Sequence, residues 1–310
     1  MQWSKIKTLF ILCFLVLNIY LIIQFIQKQD AADMGYLEEG QEASIEDKLE
    51  SENIEYEDPN IEITEDSYIS VSQKKFTDEE LVPLTNFENQ TAAVINDNFI
   101  LSKFEEPITV PEEATNQELN QLMKNYIVFP EAYQFWGWNK DMNVLIFFQQ
   151  KDDRLFYFNE NGLLLVFLNE ENEMMYYTQT MLGNVQVQQE KKSIQQPIQA
   201  VGTLYDRNDL YYEDEITNIK MGYYARIVTE GVQVFTPTWR VEVNDERNYF
   251  INAIEGLVFA SDDIKFINKT IEESYINKIR DLEEDNELRE EILTDLTQRQ
   301  TETGNRSETE

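Results

Sequence analysis

The chain has 310 residues, 42% hydrophobic and 12% aromatic, enough apolar material for a sizeable core. Its 25 basic and 59 acidic residues give a formal charge of −34, and a polyanion of that size repels nucleic acid. Histidine is absent and Cys13 is the sole cysteine, which removes Ser-His and Cys-His catalytic pairs, the usual zinc sites and any intramolecular disulfide.

Residues 1–7 read as a short cytoplasmic end. Thr8–Ile26 (TLFILCFLVLNIYLIIQFI) carries no charge, and about 20 such residues span a bilayer core. Lys5 and Lys7 precede it and an acidic stretch follows Lys28, so the positive-inside bias places the N-terminus in the cytoplasm and the remainder outside. The apolar run is longer than the core of a signal peptide, and Asp30 spoils the small-x-small pattern before Ala31-Ala32. A retained single-pass membrane helix is the reading. Asn18, Tyr20 and Gln24 are its candidate contacts to partner helices, since polar groups in lipid seek hydrogen bonds across helices.

Residues 30–66 hold 15 acidic residues and one lysine and predict a largely disordered stalk, with weak helix around Glu42–Glu50. The fold class predicted beyond it is α+β, as two helix-then-antiparallel-meander units over 67–190 and 191–268. Within the first unit, Phe76–Leu84 suggests a helical turn and Val94–Phe104 an edge hairpin. Asn116–Tyr126 shows helical spacing of Leu119, Leu122, Met123 and Tyr126. Strand-like runs follow at Tyr133–Trp138, Val144–Gln150, Leu155–Phe158, Leu163–Leu168 and Met174–Met181, with Asn161-Gly162 as a hairpin signal. The second unit opens with a helix over Ser193–Asp209. Strands Ile216–Thr229, Val232–Val243, Tyr249–Ile254 and Leu257–Ala260 follow. The tail over 269–310 carries a narrow apolar stripe (Ile279, Leu282, Leu288, Ile292, Leu296), predicting a peripheral helix to about Arg299 and a disordered end.

Three acidic groups could in principle hold a hard cation: Asp152-Asp153, Asp206 with Asp209, and Glu213-Asp214-Glu215. None has a defined ligand spacing, and solvated loop is the simpler reading. No nucleophile elbow, S-x-x-K or P-loop is present, so neither catalytic nor cofactor nor metal residues are assigned. The aromatic run Tyr133-Gln134-Phe135-Trp136-Gly137-Trp138 could stack cell-wall sugar, though wide side chains also pack across a pleated sheet in this pattern.

The opening MQWSKIKTLFILCFLVLNIYLIIQF, with Trp3, resembles the start of the YycI family. VQVFTPTWRVEVNDERNYFINAIEG (232–256), with Pro237, Trp239, Asn252, Glu255 and Gly256, is similar to that family's C-terminal hairpin. The glutamine-bearing strands Phe147–Gln150 and Tyr177–Thr180 also fit, so the resemblance covers roughly 1–262. The acidic stalk looks longer than the family needs, and the tail after about Asn268 looks like an addition. The resemblance implies a non-catalytic membrane regulator of a WalK/YycG-like sensor histidine kinase that controls cell-wall metabolism. It implies a YycH-like membrane protein as partner. The helix-then-meander pattern also looks like PepSY-type domains, giving a peptidase-inhibitory or wall-binding module as the alternative.

Overall fold

The computed structural model describes residues 7, 11–22, 43–188, 190–229, 231–259 and 262–307. The chain divides into two compact units, Met1–Lys48 and Leu49–Glu310. In the first, helix α1 is described over 11–22, and all of its side chains are exposed. Among the described residues no helix is long and apolar enough to cross a membrane. The expected span, 8–26, lies partly outside them.

Helix α2 (Ile45–Ser51) and strands β1 (Glu55–Tyr56) and β2 (Glu65–Asp66) fall where a stalk is expected. They are ordered because Leu49 and Ile54 are buried, at 2% and 6% exposure, and because β1 pairs with a strand far along the chain. Then come β3 (Ile69–Ser72), α3 (Asp78–Asn86), β4 (Gln90–Ile95), β5 (Phe99–Thr109) and α4 (Asn116–Met123). Thr115 and Glu118 close a capping box at the start of α4, and each saturates a backbone N–H that the first turn would leave bare. The meander follows as β6 (Tyr133–Asn139), β7 (Val144–Lys151), β8 (Arg154–Tyr157), β9 (Leu163–Leu168) and β10 (Glu173–Gln179), with short β11 (Gln186–Val187) and β12 (Lys192–Ser193). Helix α5 (Pro197–Asp206) begins with Pro at its first position, and β13 (Glu215–Thr229), β14 (Val232–Val243), β15 (Arg247–Asn252) and β16 (Val258–Phe259) complete the strands. The C-terminal segment is α6 (Asp263–Thr270), a π-helical turn (Ile271–Tyr275), α7 (Ile276–Arg280) and α8 (Glu287–Ser307).

The α+β class holds, but the strands do not form two separate units. Apart from a small β2–β12 pair, they make one 14-stranded sheet, whose main path runs β11-β3-β14-β13-β8-β7-β9-β10-β5-β4. The join is a parallel pairing of β8 with β13, Tyr223 opposite Phe156 and Tyr224 opposite Tyr157. At that seam Gly222 has no side chain, and a Cβ there would lie 2.3 Å from the Tyr157 ring and 2.8 Å from the Leu155 carbonyl. The Phe156 and Tyr223 rings stack at 5.3 Å, and Arg154 bridges to Asp66 at 2.6 Å. Asn161-Gly162 does not close a hairpin, because β8 turns away to β13 and β9 pairs with β7 and β10. The β7–β8 hairpin is turned instead by Asp152-Asp153, both at positive φ (51° and 60°), and Asn244-Asp245 (55° and 56°) does the same between β14 and β15. Short polar side chains tolerate that left-handed backbone, which accounts for the first of the acidic groups as turn residues.

The central strands are apolar on both faces. Leu164, Val166, Leu145, Phe147 and Ile100 point to a cluster closed by Leu119 and Met123 of α4, Leu84 of α3, and Ile127 and Val128. The alternate residues Leu163, Leu165, Phe167, Val144, Ile146 and Phe99 point to the other face. There the C-terminal helices lay down Ile267, Ile271, Tyr275, Ile279, Leu288, Ile292 and Leu296, none more than 3% exposed. The tail is therefore a buried layer rather than a peripheral helix, and each such Ile or Leu contributes about 1.5–3 kcal/mol. Arg299 fastens its end: Nη1 and Nη2 donate to the carbonyls of Met142 and Leu168, each at 2.7 Å, and Nε to Asp295 at 2.6 Å.

Gly222→Ala should destabilise the protein by about 1–3 kcal/mol in urea unfolding, since the new methyl overpacks the seam. Arg299→Ala should cost about 2–3 kcal/mol and raise amide exchange in α8 first, because two carbonyls lose charged donors.

Candidate functional site

The hairpin β14–β15 gathers the residues singled out near the end of the resemblance. Alternation along β14 sends Trp239 fully inward at 0% exposure, and its indole Nε1 donates to the Gln195 carbonyl at 2.8 Å, just before α5. The Pro237 carbonyl accepts the Ala253 N–H at 2.9 Å, and Ala253 in turn receives the Gln195 N–H at 2.7 Å.

Asn252 is the hub where the chain leaves the sheet. Its Oδ1 accepts from Thr236 Oγ1 (3.0 Å) and from the N–H groups of Ile254 (2.9 Å) and Glu255 (3.1 Å). Its Nδ2 donates to Glu255 Oε2 at 3.1 Å. Gly256 follows at φ +67°, a left-handed position, and a Cβ there would lie 2.7 Å from Gln195 Nε2.

The other carboxylate oxygen of Glu255 faces outward. It pairs with Arg226 Nη1 at 2.8 Å and accepts from the Tyr68 hydroxyl at 3.2 Å, while Arg226 lies 5.6 Å from the Tyr68 ring centre. Burial, then the Glu255 charge, pushes the Tyr68 phenol above its ordinary range, so it stays a neutral donor. The result is a half-exposed cation–carboxylate–phenol surface whose rear is fixed by Asn252. It can hold a geometry and present charge. It contains no activated nucleophile.

Of the expected site residues, Pro237, Trp239, Asn252, Glu255 and Gly256 are brought together. Asn18 and Tyr20 lie on exposed α1, in the other unit, and Trp3 and Gln24 lie outside the described residues. Sequence reading missed Tyr68, Arg226, Thr236 and Gln195. The first two are separated by 158 positions, and no local pattern links them.

Trp136 borders an open cleft of about 320 Å³ with Asn139, Phe158, Glu246, Asn248, Asp262, Asp263 and Ile264. Its ring is engaged by Phe148 (5.3 Å), Tyr157 (5.7 Å) and Arg240 (4.7 Å), which takes up the faces a stacked sugar would need. The packing interpretation of the aromatic run thus fits the geometry. Its Nε1 donates to both carboxylate oxygens of Asp263 at 3.3 Å, and burial raises that carboxyl above its ordinary range. Asp214, one of the other acidic candidates, is held by Arg247 at 2.5 Å, by Asn244 Nδ2 at 2.8 Å and by the Tyr211 N–H at 2.7 Å. Burial pushes its carboxyl up, but the Tyr211 N–H and these two side chains outweigh that and keep it below its ordinary range. It locks the start of β13 to the β14–β15 hairpin.

A family model described as YycI protein matches residues 36–254. The chain belongs to the YycI family. This family is regulatory rather than enzymatic, and membership links the chain to the YycG/WalK two-component system. The match takes in Asn252 and runs to Ile254, and it leaves Glu255, Gly256 and α6 to α8 beyond it. No curated protein matches this YycI-family chain. Among solved structures, it is similar to an uncharacterized protein from Eubacterium rectale at 11% identity, covering 64% of this chain and 87% of the other, with a TM-score of 0.37.

The Asp263 carboxyl supplies a pH test. A raised value means that its contribution to stability is complete below the ordinary 3.8 and is lost as pH rises through the elevated folded value. Asp263→Asn keeps an acceptor for Trp136 but cannot titrate. Wild type should therefore gain stability relative to the variant as pH falls from 7 toward about 4, read from urea midpoints at each pH.

Proposed function

We propose that this YycI-family protein is a membrane-anchored, non-catalytic modulator of a WalK/YycG-type sensor histidine kinase. It works with a YycH-like membrane partner through contacts made by its N-terminal helix and by its large folded unit outside the cell. The observation that carries the reading is α1. Its Ile, Leu, Val and Phe side chains stand 49–67% exposed, an apolar surface that suits lipid or neighbouring apolar helices and not water. Asn18 on that helix supplies a polar group able to bond across to a partner.

The energy required is small. Interhelical hydrogen bonds in lipid contribute about 0.6–2 kcal/mol each, and 1–3 kcal/mol between two kinase states changes output 5- to 150-fold. The Tyr68–Arg226–Glu255 surface on the folded unit serves as the second contact in this reading, because charged groups fixed from behind recognise a partner at low ordering cost.

Replacing Thr8–Ile26 by an unrelated apolar helix of equal length should change kinase output several-fold while leaving the protein in the membrane fraction. Unchanged regulation would remove the helix from the mechanism. Loss of kinase from detergent-solubilised pull-downs of the same variant should accompany the effect.

A further inference from the structure

A sheet of this size has edges, and most of those described here are blunted. β1, β11 and β16 are two residues long. β6 has a register break between Phe135 and Gly137, and the Asn120 side chain caps the Phe135 N–H at 2.6 Å. β4 differs. It is six residues long (QTAAVI), pairs only with β5 in an unbroken register, and carries neither charge nor proline. Those are the features that natural edges use to prevent strand addition, and β4 lacks all of them.

The free groups can be named. Glu105 N–H donates to the Asn89 carbonyl at 3.1 Å, which makes that pair a hydrogen-bonded one. Alternation along the antiparallel ladder gives the same role to Thr91 with Lys103 and to Ala93 with Leu101. The N–H and C=O of Gln90, Ala92 and Val94 therefore point away from the sheet, and no main-chain bond among the described residues takes them up. Thr91 and Ala92 are exposed, so the edge is open to solvent.

Charge selects the occupant. Exposed Glu88 and Asp97 stand just beyond the two ends of β4, and exposed Glu105 and Glu106 follow on β5. The one cation opposite β4, Lys103, is held by Glu291 at 2.5 Å. A second copy would bring the same acids and its own −34 charge against this edge. We propose that the outer edge of β4 is a docking site for an extended, basic segment of a partner protein, which adds to the sheet as a further strand through Gln90, Ala92 and Val94.

The test uses the full-length protein in detergent micelles and a blocked synthetic heptapeptide of alternating valine and lysine. Amide exchange followed by NMR should show Gln90, Ala92 and Val94 exchanging fast in the free protein and slowing at least tenfold with the peptide. The same peptide N-methylated at alternate residues keeps its charge but loses its main-chain donors, and should give no protection. Ala92→Pro should abolish the effect while Ala93 stays protected, because the Ala92 N–H faces outward and its loss spares the β4–β5 ladder. Ala92→Lys, with the backbone intact, should weaken binding about tenfold. Equal protection from the N-methylated peptide, or no protection at these three amides, would overturn the proposal. So would a dimer of this chain that Ala92→Pro dissolves.

Discussion

The parallel seam between β8 and β13 is the constraint on which the large unit depends. Two stretches of chain, each a meander with its own short turns, become one sheet only if their backbones approach to ladder distance at Tyr223 and Tyr224. Gly222 makes that approach possible, and the Tyr157 ring occupies the space that a side chain would have filled. Once the seam closes, Phe156 stacks on Tyr223 and meets Phe235 edge to face across it, and Arg154 ties it to Asp66 near the start of the large unit. Nothing local selects this pairing. It closes a long loop, whose entropy cost is offset by the aromatic area buried along the join.

A sheet joined in this way has two apolar faces to cover, and the chain covers them from opposite directions in sequence. The α3 and α4 helices precede the central strands, and the α6 to α8 segment follows the last of them. The second cover lies beyond the family match, yet it contributes eight buried apolar side chains and the Arg299 fastening to strand-end carbonyls. Its outer surface is strongly acidic while its inner stripe does the packing. In this protein, then, a segment outside the shared family region is part of the core.

The Asn252 hub connects architecture to surface chemistry. One buried side-chain amide organises the exit from β15, fixes Glu255, and so holds an Arg–Glu–Tyr surface at the boundary of the sheet. A rigid, charged, chemically unreactive surface is suited to recognition. Under the function proposed above, it and the exposed apolar helix α1 supply two kinds of contact, one electrostatic and one by apolar packing.

The sequence by itself determined the elements that depend on neighbours within a few residues. Capping at Thr115, the helical spacing of α4, the period-2 strands of β14 and the apolar composition of 8–26 are all local. It also carries the need for two covers: Leu163–Leu168 is apolar without alternation, which requires cover on both faces and therefore a use for the tail stripe. The tertiary structure alone decided the merger of two meanders into one sheet, the turn role of Asp152-Asp153, the burial of α8, and the meeting of Tyr68, Arg226 and Glu255. Apart from the Asp152-Asp153 turn, which closes a local hairpin, each of these rests on contacts between residues far apart in the chain. Their free energy comes from burial and pairing after the loops between them close, and no window of sequence contains both partners.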